Sequence, residues 1–373
     1  MSSPSRNALI DSMKGMACAT IVFHHLAFYG PMSDVAQPLM PSLMAWFSTY
    51  GRMAVQVFLV IGGYLAASSL APGGVARFDS ASQQIGRRFV RLVVPYAVAL
   101  VVAILASAAV RPWMAHPSVP ADPELSQLVA NALLIQDIVG EEALSAGVWY
   151  VAIDFQLFAL AVLLFAAVRL WPGLPAARAA RLGQMLVVAG TAASLLFFNR
   201  QADLDMWAVY FWGAYGLGMM ACWAVRSPRP WAWLALMVLL GAASLALDFR
   251  GRIAVALCTA LALVVLLRLR QPAWEWPVGS DRLQQLGRMS YSVFLVHFPV
   301  CLLMNALVSH WWPDTPALNA LGMVTAFLLS LTAGRLLYQR VERHVPSWTV
   351  ALRWQAGLVG TGLAVALAGS LLG

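Results

Sequence analysis

The chain has 373 residues, 61% of them hydrophobic and only 11% charged, with a formal net charge of +8. A soluble domain carries roughly 25% charged residues, so the composition excludes a soluble globular protein and indicates a chain that crosses a bilayer many times. The positive charge does not call for a nucleic-acid partner, because the arginines fall in short loops between apolar runs, as the positive-inside rule requires.

Eleven apolar stretches read as spans, near 8–28, 43–70, 90–110, 148–168, 184–198, 207–225, 231–247, 253–269, 287–309, 317–338 and 354–372. The predicted fold is therefore all-α, a polytopic transmembrane helix bundle of about ten to eleven helices forming one domain over residues 1–373. With the N-terminus in the cytoplasm, 19 of the 24 Lys and Arg residues fall inside, and Arg52, Arg111, Arg200, Arg250 and Arg252 fall outside. Arg6 and Arg270 are among the inner cations. This bias predicts a multi-pass protein of the cytoplasmic (inner) membrane with its N-terminus inside and its C-terminus outside.

The first stretch, IDSMKGMACATIVFHHLAF, carries a carboxylate, an ammonium and two imidazoles in an otherwise apolar helix. Ionisable groups in hydrocarbon persist mostly where they face a partner, a cavity or a substrate path. Lys14 is the only lysine in the chain. His25 follows it by eleven residues, which returns to nearly the same helix face about 16 Å further along the axis. His24 points about 100° away from His25. Asp11, one turn before Lys14, is placed to pair with it.

In the second span, Arg52 and Gln56 stand one turn apart near the outer end, and Gly62–Gly63 permits close backbone approach, which helix packing alone would also explain. At the start of the third, Arg87, Arg88 and Arg91 form a cationic cluster suited to phosphates, although topology charge and anionic lipid are the ordinary explanation. The connection 111–147 is Pro-rich at first, then reads LSQLVANALLIQDIV, an amphipathic helix expected to lie on the outer surface. The fourth span opens on Trp149 and Tyr150, suited to an interface. Asp154 lies one turn deeper, where it could orient an imidazole or pair with Arg52. His297 sits mid-way along the ninth span, two residues before Pro299, which frees backbone carbonyls around it. The four cysteines lie inside apolar runs and read as small core residues. His24, His25, His297 and Asp154 lack a metal-ligand spacing, so no metal is expected.

In sequence order these stretches resemble the acyltransferase-3 family of integral membrane acyltransferases. The family's basic residue, ten residues, then histidine is similar to Lys14 through His25. Its second-helix stretch resembles VQVFLVIGGYL, its RxxR before Pro-Tyr resembles Arg88 to Arg91 with Pro95 and Tyr96, and its tryptophan-to-acid stretch resembles WYVAIDFQLF. Its late patterns resemble LGRMSYSVFLVHFPV and YQRVERHVP, the second containing Glu342. The motif-bearing part runs from about residue 6 to 346. The acid of the tryptophan stretch, commonly Glu, is Asp154; the serine before Gly-Tyr is Gly62; the acid of the second helix is Gln56.

The resemblance implies an O-acetyltransferase-type enzyme that moves an acyl group, most readily acetyl from acetyl-CoA, to a hydroxyl of an extracytoplasmic glycan or related acceptor. His25, Lys14 and Asp154 are the expected catalytic residues. Lys14, Arg88 and Arg91 would bind the CoA phosphates, and Arg52, Gln56, Trp149 and His297 would line the acceptor side. The lipid bilayer is the standing partner, and an extracytoplasmic enzyme that completes transfer is a further one. Two other classes compete: a transporter or flippase with a proton-coupled path through His25, His297 and Asp154, and a membrane scaffold. The lack of an internal repeat weighs against the first, and the lysine-to-histidine pair against the second.

Overall fold

A computed structural model describes residues 7–171, 173–269 and 280–372. Arg6 and Arg270, counted above on the inner side, lie outside the described residues. Among the described residues every regular element is helical, with no strand. Ten helices are long and apolar enough to cross a membrane, from Pro41–Leu70 to Trp348–Leu371. They correspond to the last ten of the eleven expected spans. The first helix, Ala8–Phe28, has the length of a span at 21 residues but stands apart from those ten, because its buried polar residues dilute its hydropathy. The protein is a multi-pass membrane helix bundle. By packing, the chain divides into two compact units, one of Met1–Arg52, Phe89–Val151 and Gly279–Gly373, the other of Met53–Arg88 and Ala152–Val278.

In the first unit, the first helix lies beside Ser290–Trp311. It starts at an Asn7 cap, whose Oδ1 accepts from Leu9 N at 3.0 Å, and carries Asp11 in its first turn, where the helix dipole favours a negative charge. Three cross-links fix its register. Cys18 Sγ meets Ser290 O at 3.7 Å, His25 Nδ1 meets His297 Nε2, and Met32 N donates to Asn305 Oδ1 at 3.0 Å. The separations are 272, 272 and 273 residues. The near-constant separation means two parallel helices that stay in step, over about 10 Å of axis from residue 18 to 25, with Met32 keeping the register just past the end of the first helix. Asn305 also donates to Tyr29 O (3.3 Å) and Cys301 O (2.9 Å), clamping the chain where the first helix ends. At the other end, Ser280–Arg288 crosses the first helix through glycines. A Cβ on Gly15 would collide with the Leu283 carbonyl, and one on Gly287 with the Asp11 carbonyl. Asp11, expected beside Lys14, is engaged by Arg288 at 3.5 Å.

The connection after residue 110 departs from expectation. Leu125–Ala132 does not lie along a surface but descends beside Trp348–Leu372. Asp122 abuts Gly369, Leu128 fills the space over Gly362, and Gln355 Nε2 donates to Ala132 O. Gly369 to Gln355 is fourteen residues, about 21 Å of descent. Burial is tolerable because the polar groups satisfy one another. Asn131, wholly buried, donates to Gln127 O and Glu142 O at 2.9 Å each and accepts from Leu144 N at 3.2 Å and Tyr96 OH at 3.4 Å. The chain reverses at Leu134, a buried non-glycine residue at φ 60, a conformation that costs about 1–3 kcal/mol.

In the second unit, Ala208–Arg226 is buried nearly all round and packs against Val55–Leu70, Ala176–Leu196, Pro230–Leu247 and Gly251–Leu269. Its closest neighbour is reached through reciprocal glycines. A Cβ on Gly63 would strike the Tyr215 carbonyl, and one on Gly218 the Val60 carbonyl. Gly63 is therefore a packing residue, the small-residue contact by which membrane helices approach closely.

Candidate active site

The first unit brings His25 and His297 together, both buried, with ring centroids 4.7 Å apart. Their tautomers follow from the hydrogen-bond network. A carbonyl oxygen only accepts, so His297 Nδ1 carries the hydrogen that it gives to Phe294 O at 2.7 Å. A neutral imidazole has one N–H. His297 Nε2 is therefore the lone-pair nitrogen, and His25 Nδ1 donates to it. That leaves the His25 lone pair at Nε2, with the rest of the ring held in place. His297, expected from the sequence on the acceptor side, is hydrogen-bonded to His25. Pro299 does free a carbonyl, that of Leu295 four residues back, but His297 bonds the carbonyl one residue earlier.

His24 looks elsewhere. Its Nδ1 bonds Phe47 O at 2.9 Å, and a Cβ on Gly51 would come within 2.8 Å of its Cβ. The helical phase expected for the two histidines is the one observed. The rest of the His25 wall is aromatic and backbone: Tyr29 packs edge-on at 5.3 Å, and Gly147 stands against Cε1. Tyr150, beside Trp149, packs edge-on against Phe294 at 5.6 Å.

Lys14 and Arg91 both lie within electrostatic reach of Glu342. Glu342 also caps the helix that carries His297, its Oε2 accepting from Ser292 N at 3.1 Å and Ser292 Oγ at 2.6 Å. It sits in a π-helical turn, Tyr338–Glu342, a distortion common at functional sites. Sequence reasoning placed Glu342 in a motif but gave it no role, and gave none to Gly147 or Asn305. Among the described residues, no three His, Cys, Asp or Glu side chains gather as a metal-holding group.

The other expected site residues divide differently. Arg88, in the second unit, forms an ion pair with the buried Asp154 and lies over the Phe158 ring, 5.2 Å from its centroid. Asp154 is thus paired with Arg88, where the sequence suggested Arg52 or an imidazole. Gln56 is buried in the same unit, while Arg52 is exposed in the first, in the 3-10 turn Gly51–Ala54.

The chain matches the acyltransferase-3 family, described as an acyltransferase domain, over residues 7–335. The matched region holds Lys14, His25, Arg91, Gly147 and His297, and it ends before Glu342. No curated protein and no solved structure matches the chain. The match covers most of the 373 residues and includes the paired histidines, so the protein belongs to the acyltransferase-3 family of membrane acyltransferases.

Proposed function

We propose that the protein transfers an acyl group, acetyl from acetyl-CoA, to a hydroxyl of an extracytoplasmic glycan, with His25 as general base. The observation that carries this is the fixed tautomer of His25, whose Nδ1–H is spent on His297 and whose Nε2 keeps its lone pair. In the transfer, the acceptor hydroxyl gives its proton to Nε2 as its oxygen attacks the thioester carbonyl. A C–O bond forms and the carbonyl electrons move to oxygen. When they return, the C–S bond breaks and the leaving thiolate takes the proton back from His25. The resulting imidazolium is steadied through Nδ1 by the His297 lone pair.

Lys14 and Arg91 would hold the donor's phosphates. Both are cations within reach of one carboxylate, Glu342, which keeps them from dispersing before the donor arrives. Arg88 stays in the proposal as a donor contact, with Asp154 as its ion-pair partner. Trp149, Gln56 and Arg52 remain proposed acceptor contacts.

The test is mass spectrometry of cell-envelope glycans from cells with and without the protein, paired with acetyl transfer from labelled acetyl-CoA by the purified chain. Loss of O-acetyl groups on deletion, with transfer in vitro, is the expected result. Unchanged glycans together with no consumption of acetyl-CoA would overturn the proposal.

A further inference from the structure

The segment that rises from the re-entrant stretch returns to the first unit's core at Leu144–Val148 before Trp149 begins the next helix. Val148 N reaches back to Ser145 O at 3.5 Å, closing a four-residue turn. Its third residue is Gly147, at φ 82, the left-handed place that a type II turn reserves for glycine. The turn stands directly on His25. A Cβ at Gly147 would lie 3.2 Å from His25 Cε1 and 3.2 Å from Phe294 Cζ. Cε1 is the ring carbon between the two nitrogens, and Nδ1 is already occupied by His297. The turn therefore borders the edge that carries the basic Nε2.

Ser145 opens this turn. It is 2% exposed, and its Oγ has no hydrogen-bond partner. Several other buried hydroxyls are spent on carbonyls, as Thr191 is on Val187, Ser330 on Ala326 and Ser244 on Leu195. Among the described residues, four buried serine hydroxyls lack a partner: Ser12, Ser107, Ser145 and Ser309. Ser145 alone of these lies outside a helix, where no carbonyl one turn back is offered. Its Cα can be no more than about 7 Å from that of Gly147, so Ser145 belongs to the same short turn that meets the imidazole.

We propose that Ser145 is a further catalytic residue, its hydroxyl donating a hydrogen bond to the carbonyl oxygen of the acyl group as His25 takes the acceptor's proton. This rests on the acyl-transfer reading above. Ser145 forms and breaks no covalent bond. The electron pair that the attacking oxygen displaces from the carbonyl C=O resides on the oxygen facing Ser145, and returns as the thiolate leaves with the proton held by His25. A donor aimed at that oxygen strengthens as charge develops there, which lowers the barrier without tightening ground-state binding. The same logic accounts for a hydroxyl kept buried and unpaired, which is unfavourable until substrate arrives.

The experiment uses the full chain in lipid nanodiscs, with labelled acetyl-CoA and purified envelope glycan. Ser145→Ala should lower kcat by about 10²–10³-fold, leave the donor KM within about threefold, and leave the Tm unchanged or raised, since alanine removes an unpaired buried hydroxyl. Activity within threefold of the parent would overturn the proposal. So would a fall in Tm accompanying the loss of activity, which would make Ser145 merely structural, or an acetyl ester found on Ser145 after incubation with donor alone, which would make it a nucleophile. His25→Ala, assayed in parallel, separates the two levels. If it is inactive while Ser145→Ala is normal, only the role of Ser145 fails; if it is fully active, the role of His25 as base fails as well; and if the parent chain itself transfers no acetyl, the acyl-transfer reading fails.

Discussion

At the scale of single residues, two adjacent histidines have different partners and should behave differently. His25→Ala should abolish transfer while leaving membrane insertion and abundance near the parent level. His24→Ala should keep substantial activity, because its imidazole is spent on the Phe47 carbonyl. Glycan acylation by the two variants decides it, and activity in His25→Ala with none in His24→Ala would put the site about 100° round the helix. Lys14→Arg keeps the charge and should be milder than Lys14→Ala. Arg91→Ala should raise the donor KM about tenfold to a hundredfold, the equivalent of losing a charge-assisted contact of about 1.5–3 kcal/mol; a change confined to acceptor dependence would remove Arg91 from the donor site. Sequence spacing separates the direction of His25 from that of His24, because helical phase is a local property. It could not pair His25 with His297, since phase gives the direction of a side chain and not what lies there. Nor could it find Ser145 or Gly147, whose roles depend on a turn that folds back from elsewhere.

At the scale of elements, the glycines divide into those with and without a neighbour. Gly63 presses on the Tyr215 backbone, whereas Gly73 faces open space. Gly63→Ala should sharply reduce the yield and Tm of folded protein, because a backbone carbonyl cannot step aside as a flexible side chain can. Gly73→Ala should be nearly neutral in the same thermal-shift assay. If the two variants melted alike, the close approach of Val55–Leu70 to Ala208–Arg226 would be wrong. The positions of these helices were legible from hydropathy to within a few residues at most ends. Two exceptions show what hydropathy misses. The helix expected from 184 begins at Ala176, and the one expected from 90 begins at Ala81, because Arg- and Gln-bearing turns at a helix end carry polar sequence but normal backbone hydrogen bonds. The stretch Leu125–Ala132 reads as an amphipathic surface helix, and one face does stay exposed, with Leu125 at 54% and Val129 at 41%; the other packs beside Trp348–Leu372, where Asn131 finds four partners that a periodicity argument cannot see.

At the scale of the whole molecule, the distribution of arginines predicts orientation. A reporter at the C-terminus should read extracytoplasmic, and one inserted at Gly73 should read cytoplasmic. The opposite reading at either site would reverse the sides from which donor and acceptor must come. Ion pairing supports a separate expectation. Arg88→Gln should weaken folding more than Asp154→Asn, because it leaves the more buried charge without its ion-pair partner, the side-chain exposures being 33% for Arg88 and 9% for Asp154. Equal melting temperatures for the two variants would count against that account.

The in-step pairing of the first helix with Ser290–Trp311 also has a consequence in time. A ribosome adding about 5–20 residues per second makes His297 roughly 14 to 54 s after His25, since 272 residues separate them. Through that interval the first helix must reside in the membrane, or in the care of the insertion machinery, with an imidazole that has not met its partner. No chain released early can have an assembled base. Each newly made molecule therefore passes from inert to active in one late event, when nearly four-fifths of its length has already been inserted.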